Sequence, residues 1–113
     1  MKRGEIYRFN LNPTVGTELR KIRLCVVVQR TLKTEKSLTT IVCPITDARG
    51  QPGDVLNPII PAGIGGTTKD SRVVCNQIRS LDKTRAVGKK QGELTTEIMT
   101  AVSRGLSAIL DLG

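Results

Sequence analysis

Hydrophobic and polar positions divide the chain into two regimes. Up to Glu93 the apolar residues come in short runs separated by turn residues; beyond Thr96 they recur every three or four positions. Glu5 to Phe9 predicts a first strand. Leu24 to Gln29, with Cys25, Val26, Val27 and Val28 in succession, predicts a second strand apolar on both faces. Leu38 to Ile45, rich in Thr, Ile and Val, predicts a third. Asp54 to Ile60 predicts a short fourth strand, demoted towards an edge by Pro58. Ser71 to Ile78 predicts a fifth and Lys89 to Glu93 a sixth. Between them lie a long polar loop from Asn10 to Ile22, turn chemistry from Arg49 to Gly53, and a glycine-rich loop from Pro61 to Lys69.

From Thr96 to Leu112, Ile98, Val102, Leu106 and Ile109 fall on one helical face, and Met99 and Leu110 widen it. Thr95 suits the N-cap, and Glu97 in the first turn suits the helix dipole. Gly105 costs this helix about 1 kcal/mol against Ala, which implies a close approach to the sheet at that point. Several short strands followed by one helix predict a mainly β fold. Its form is a small, strongly bent sheet or barrel capped by the C-terminal helix, in a single domain over residues 1–113.

The 113 residues suffice for a core without a metal or disulfide. No apolar run approaches the ~18 residues of a membrane span, and the start of the chain lacks a signal-peptide pattern. The expectation is a soluble cytoplasmic protein. The 3 cysteines, odd in number and without a CxxC pair, read as buried apolar residues. Lys and Arg total 18 against 10 Asp and Glu, a net charge of +8, which attracts phosphate backbones or an acidic partner. Tyr7 and Phe9 are the only aromatic residues, so a base-stacking platform is excluded. Histidine is absent, which removes the usual Ser-His nucleophile systems and most zinc sites. The carboxylates show no clustering that suits paired Mg²⁺. No metal and no cofactor are expected.

Three stretches carry candidate chemistry. NPTVGTELRKIR places Glu18, Arg20, Lys21 and Arg23 between two strands, with Arg23 at the mouth of an apolar one. A rigid strand holds a charge in a set position, as a binding or catalytic group requires. In CPIT, Pro44 withdraws a ladder donor, so the strand is expected to end or bulge there and present Thr46 beside an opening. In KDSRVVCNQIRSLDK, Ser71, Asn76 and Gln77 decorate an apolar strand. GIGGTTKD lacks the GxxxxGK[ST] spacing of a nucleotide-binding loop.

These blocks, together with the opening RGEIY and with GELTTEIM before the helix, resemble the MazF/PemK toxin family of toxin–antitoxin systems. The family pattern is RGE[IV][YW], then PT-x-G-[ST]-E, then an Arg leading a valine-rich strand. The likeness runs from Arg3 to Leu112, and the joint order of the blocks makes it specific. Two positions depart from the pattern: Leu24 stands where the family usually has Pro, and Arg30 where it often has Asn.

The resemblance implies the small SH3-like barrel shared by these toxins and the CcdB gyrase poison. It implies a homodimer that cleaves single-stranded mRNA in a groove between subunits. It also implies an acidic antitoxin that blocks that groove. By the same resemblance the catalytic arginine falls on Arg23, the catalytic threonine on Thr46 and the loop glutamate on Glu18. Glu18 either orients Arg23 or accepts a proton from the ribose hydroxyl; the sequence leaves both open. Substrate contacts fall on Ser71, Asn76 and Gln77, with Arg20 and Lys21 adding charge for phosphates. Two other readings stand beside this one: a CcdB-type gyrase poison without enzymatic activity, and a basic nucleic-acid-binding module without catalysis.

Overall fold

The computed structural model describes residues 1–113. Strand β1 spans Glu5–Asn10, β2 Ile22–Val27 and β3 Thr39–Asp47; a helix, α1, spans Thr31–Lys36. Strand β4 is Ile59–Ile60, β5 Ser71–Val73, β6 Arg79–Asp82 and β7 Ala86–Glu93; helix α2, Thr96–Ile109, closes the chain. The strands are antiparallel in the order β4-β5-β3-β2-β1-β7, with β6 also on β3. No helix is long and apolar enough to cross a membrane.

Alternation on β1, β2 and β3 feeds two cores. Ile6, Val26, Cys43 and Ile45 point to one face, where Met99 and Val102 of α2 cover them. Phe9, Leu11, Cys25, Val27, Val42 and Leu81 form a smaller core on the other face, beneath the β1–β2 loop. Each side chain buried in this way stabilises the fold by about 1.5–3 kcal/mol. The Thr95 hydroxyl accepts the Ile98 N–H at 3.2 Å and caps α2 as expected. Gly105 does lie against other chain: a Cβ there would stand 2.6 Å from the Val55 carbonyl oxygen.

Several elements differ from expectation. The fourth strand shrinks to Ile59–Ile60, because Asp54 spends its carboxylate on the Leu56 and Asn57 N–H groups in a tight turn. The sixth is longer, starting at Ala86. Helix α1 has no counterpart in the hydrophobic pattern, since only Thr34 of it is buried. Residues 71–78 are not one strand: β5 ends at Val73 and a 3₁₀ turn occupies Cys75–Gln77 before β6. Strand β3 runs through Pro44 to Asp47 instead of ending there. The disruption that Pro44 causes falls on the facing chain. Its carbonyl takes the Val74 N–H at 2.9 Å, it has no N–H to return, and the facing strand buckles into the turn at that point.

Candidate functional site

Strands β2 and β3 pair at only three positions, Val27 with Val42, Val26 with Cys43, and Cys25 with Pro44. Beyond Cys25 they part. Strand β2 stays on β1, down to the pair Asn10 with Ile22, while β3 stays on β5, down to the pair Asp47 with Ser71. Carrying the β2–β3 register past its last pair sets Arg23 opposite Thr46, on one face of the parted strands. The gap is a cleft of about 320 Å³ lined by Ile22, Arg23 and Leu24 from one side and Ile45, Thr46 and Asp47 from the other. Arg8 of β1 and residues Gly66, Thr67, Thr68, Lys69 and Ser71 complete it. Gly66 lets this wall come close: a Cβ there would be 2.7 Å from the Gln91 carbonyl oxygen of β7.

Arg23 and Thr46 are half-buried on regular strands, so packing limits their rotamers. The Arg23 Nε donates to the Arg20 carbonyl at 3.0 Å, which leaves the two terminal nitrogens for an anion. Cys25, next on the same face, donates weakly to the Arg23 carbonyl at 3.7 Å. Burial pushes its thiol up to about 12, against the pull of the Arg79 and Arg23 charges, so it stays protonated. Asp47 is the one carboxylate of the cleft, and Lys69 lies 3.8 Å from it.

The other expected residues divide. Arg20, Lys21 and Asn76 are exposed. Lys21 has a φ of 69°, in the left-handed region that non-glycine residues rarely occupy. Its N–H donates to Asn12 Oδ1 at 3.2 Å and its carbonyl accepts the Leu11 N–H at 2.9 Å, closing the loop at its base. Glu18 is exposed and accepts the Val15 N–H at 2.6 Å, a bond inside its own loop and not to Arg23. Ser71 reaches the cleft, although its hydroxyl donates to the Lys69 carbonyl at 2.8 Å. Gln77 is half-buried outside the cleft lining, and its Oε1 accepts the Leu19 N–H at 2.8 Å.

Five polar cleft residues are absent from the candidates that the sequence offers: Arg8, Asp47, Thr67, Thr68 and Lys69. The TTK run after the glycines lacks the spacing of a nucleotide-binding loop. A run of hydroxyls and a cation after flexible glycines is itself a signal for an anion contact. A larger groove of about 560 Å³ lies between α2 and residues 53–59. It shares no residue with the first cleft, and its walls, with Val55, Pro58, Ile59, Ile98 and Ala101, are mostly apolar. The hydroxyl and ammonium groups of the two depressions all line the smaller cleft, together with the guanidinium groups of Arg8 and Arg23.

A half-buried guanidinium facing a hydroxyl across parted strands, rimmed by cations on a chain of net charge +8, is an anion-binding arrangement on a small β-rich scaffold. The profile described as "PemK-like, MazF-like toxin of type II toxin-antitoxin system" matches residues 2–110, and the chain belongs to that family. Among curated relatives, the protein named Endoribonuclease EndoA of Bacillus subtilis is 34% identical over 113 residues, covering 99% of this chain and 96% of its own. The protein named Endoribonuclease MazF of Staphylococcus saprophyticus is 31% identical over 112 residues, covering 99% and 92%. The crystal structure of MazF from Deinococcus radiodurans superposes with a TM-score of 0.81 at 23% identity, covering 98% of this chain and 96% of that one. A mycobacterial endoribonuclease solved in complex with its cognate antitoxin gives 0.80 at 18% identity, covering 100% and 97%. These likenesses bear out the expected barrel with its C-terminal helix.

Proposed function

We propose that the chain is the toxin of a type II toxin–antitoxin pair, a sequence-specific endoribonuclease that cuts single-stranded mRNA without a metal. The observation that carries this reading is the opposition of Arg23 and Thr46 across the mouth of the cleft. In-line attack by a ribose 2′-oxygen forms the 2′-O–P bond and breaks the P–O5′ bond. The leaving 5′-oxygen takes up a proton, and the products are a 2′,3′-cyclic phosphate and a 5′-hydroxyl. The nucleophile lies beside the phosphorus in the substrate itself, so proximity favours the step. Charge grows on the nonbridging oxygens as the phosphorane forms. The terminal nitrogens of Arg23 and the hydroxyl of Thr46 stabilise that charge more than the ground state. The 2′-hydroxyl gives its proton to the Glu18 carboxylate, which is held in its own loop by the Val15 N–H and makes no bond to Arg23.

Arg20, Lys21 and Asn76 hold the RNA along the exposed rim. Ser71 adds its remaining hydrogen-bonding capacity within the cleft. Metal independence is supported by the donor set: the chain has no histidine, and a single carboxylate lines the cleft. The protein acts as a cytoplasmic homodimer, and the acidic tail of an antitoxin competes with RNA for the basic rim.

The test is an all-deoxy oligonucleotide carrying one ribonucleotide at a mapped cut site, incubated in EDTA. Cutting continues with the chelator and stops when that ribonucleotide becomes deoxy. Loss of cutting in EDTA with rescue by Mg²⁺ overturns the mechanism. Absence of cutting on any long RNA leaves a gyrase poison or a binding module.

A further inference from the structure

We propose that Gln77 is a positioning residue for Arg23, acting through the backbone of Leu19 and Arg20. The inference rests on the catalytic reading of Arg23. Gln77 ends the 3₁₀ turn that forms opposite Pro44, so its place is set by the sheet and not by a free loop. Its Oε1 accepts the Leu19 N–H at 2.8 Å, a contact between residues 58 positions apart. One residue further along the loop, the Arg20 carbonyl accepts the Arg23 Nε at 3.0 Å. A short chain of contacts therefore runs from Gln77 to the Leu19–Arg20 backbone and on to the guanidinium.

The rest of the loop shows why this contact matters. Its first residues are tied down separately. Arg79 donates to the Leu11 carbonyl at 3.1 Å, and Arg85 donates to the carbonyls of Asn10 at 3.2 Å and Asn12 at 2.5 Å. From Pro13 to Leu19 the bond to Gln77 is the only hydrogen bond from outside the loop. Leu19 also packs on the smaller core, so side chain and amide are held together. Without the acceptor, the Leu19 N–H is left to water and the Arg20 carbonyl shifts with it. The guanidinium then loses the anchor that presets its terminal nitrogens. Displacement of about 1 Å in a reacting constellation costs up to about 100-fold in rate.

The competing role for Gln77 is direct contact with RNA through its NH₂ group. Two substitutions separate the roles. Gln77→Leu removes acceptor and donor. Gln77→Glu keeps the acceptor for Leu19 and removes the donor. With a minimal RNA substrate, Gln77→Leu is expected to lower kcat about tenfold while KM moves less than about threefold, and Gln77→Glu recovers most of that loss. Amide hydrogen exchange at Leu19 accelerates in the Leu variant and not in the Glu variant. In an Arg23→Ala background, Gln77→Leu causes no further loss, because the two act as one unit. The proposal is overturned if the Leu variant raises KM with kcat intact or the Glu variant is as slow as the Leu variant. Unchanged Leu19 exchange, or effects that multiply in the double variant, also overturn it. Full activity of Arg23→Ala alone overturns the catalytic reading itself, and is seen separately from the other outcomes.

Discussion

Substituting Gly105 by Ala sets two effects of opposite sign against each other. Helix propensity favours Ala in the interior of α2 by about 1 kcal/mol. Packing opposes it. The added Cβ would lie 2.6 Å from the Val55 carbonyl oxygen and 2.9 Å from the Cys75 sulfur, both inside the distance that carbon contacts tolerate. The oxygen belongs to backbone and the sulfur to a fully buried side chain, so neither swings away as the end of a flexible side chain does. Relief requires α2 to lift from the core that Met99 and Val102 complete. Overpacking of this kind costs about 1–3 kcal/mol, and lost contacts of the lifted helix add to it. The net expectation is destabilisation of about 1–2 kcal/mol, at about 4 °C of Tm per kcal/mol for a chain of this size. The assay is thermal melting by circular dichroism at one fixed protein concentration, since self-association shifts Tm. Thr100→Ala is the control: it is exposed on the same helix, gains propensity without meeting the core, and should not lower Tm. A Tm for Gly105→Ala at or above that of the parent refutes the close approach.

Arg23→Ala is expected to lower the cleavage rate about 10²–10³-fold, as loss of one transition-state donor does, and Thr46→Val, which keeps the shape and removes the hydroxyl, also slows it; unfolding curves that move with the rates would show a merely structural effect. Glu5 is expected to make stability pH-dependent. Burial alone would raise its pKa, but N–H donation from Lys2 at 2.7 Å, the Tyr7 hydroxyl at 3.0 Å and the Lys90 ammonium at 3.2 Å lower it overall. A lowered carboxyl stabilises the fold above its unfolded value of 4.5 and loses that contribution as pH falls through the folded value. The urea midpoints of parent and Glu5→Gln should therefore differ near pH 7 and converge in acid; a gap that widens in acid reverses the sign. Binding of the acidic antitoxin tail should weaken as salt rises, measured by titration calorimetry across salt concentrations, and a flat response contradicts a charge-driven contact.

The elements that were legible in the sequence are those whose stability is local or periodic. The stripe of Ile98, Val102 and Leu106 requires a helix with one face on a core, because no other backbone puts those residues on one side. The run from Leu24 to Val27 requires a strand buried on both faces, and it has cores above and below it. Arg23 and Thr46 read as flanking two strands, and each lies just inside its strand, β2 and β3, because both strands extend further at that end than the apolar runs show. Where local signals were weak the reading failed. Helix α1 carries the helix formers Leu32, Lys33, Glu35 and Lys36, yet it is too short and too exposed to show a period.

What only the tertiary structure decided are relations between distant residues. Val73, Val74 and Cys75 read as one apolar strand, but whether the chain continues or buckles there depends on what faces it. Pro44, on another strand, offers a carbonyl and no N–H. Two strands pair along part of their length and then part because each follows a different neighbour, β1 on one side and β5 on the other. That divergence creates the cleft and sets Arg23 against Thr46. Gln77, which reads as a polar group on a strand, accepts a hydrogen bond from a loop 58 positions away. Hydrogen-bond partners across such separations are chosen by the packed sheet, because local sequence constrains the conformation of each segment but not which segments meet.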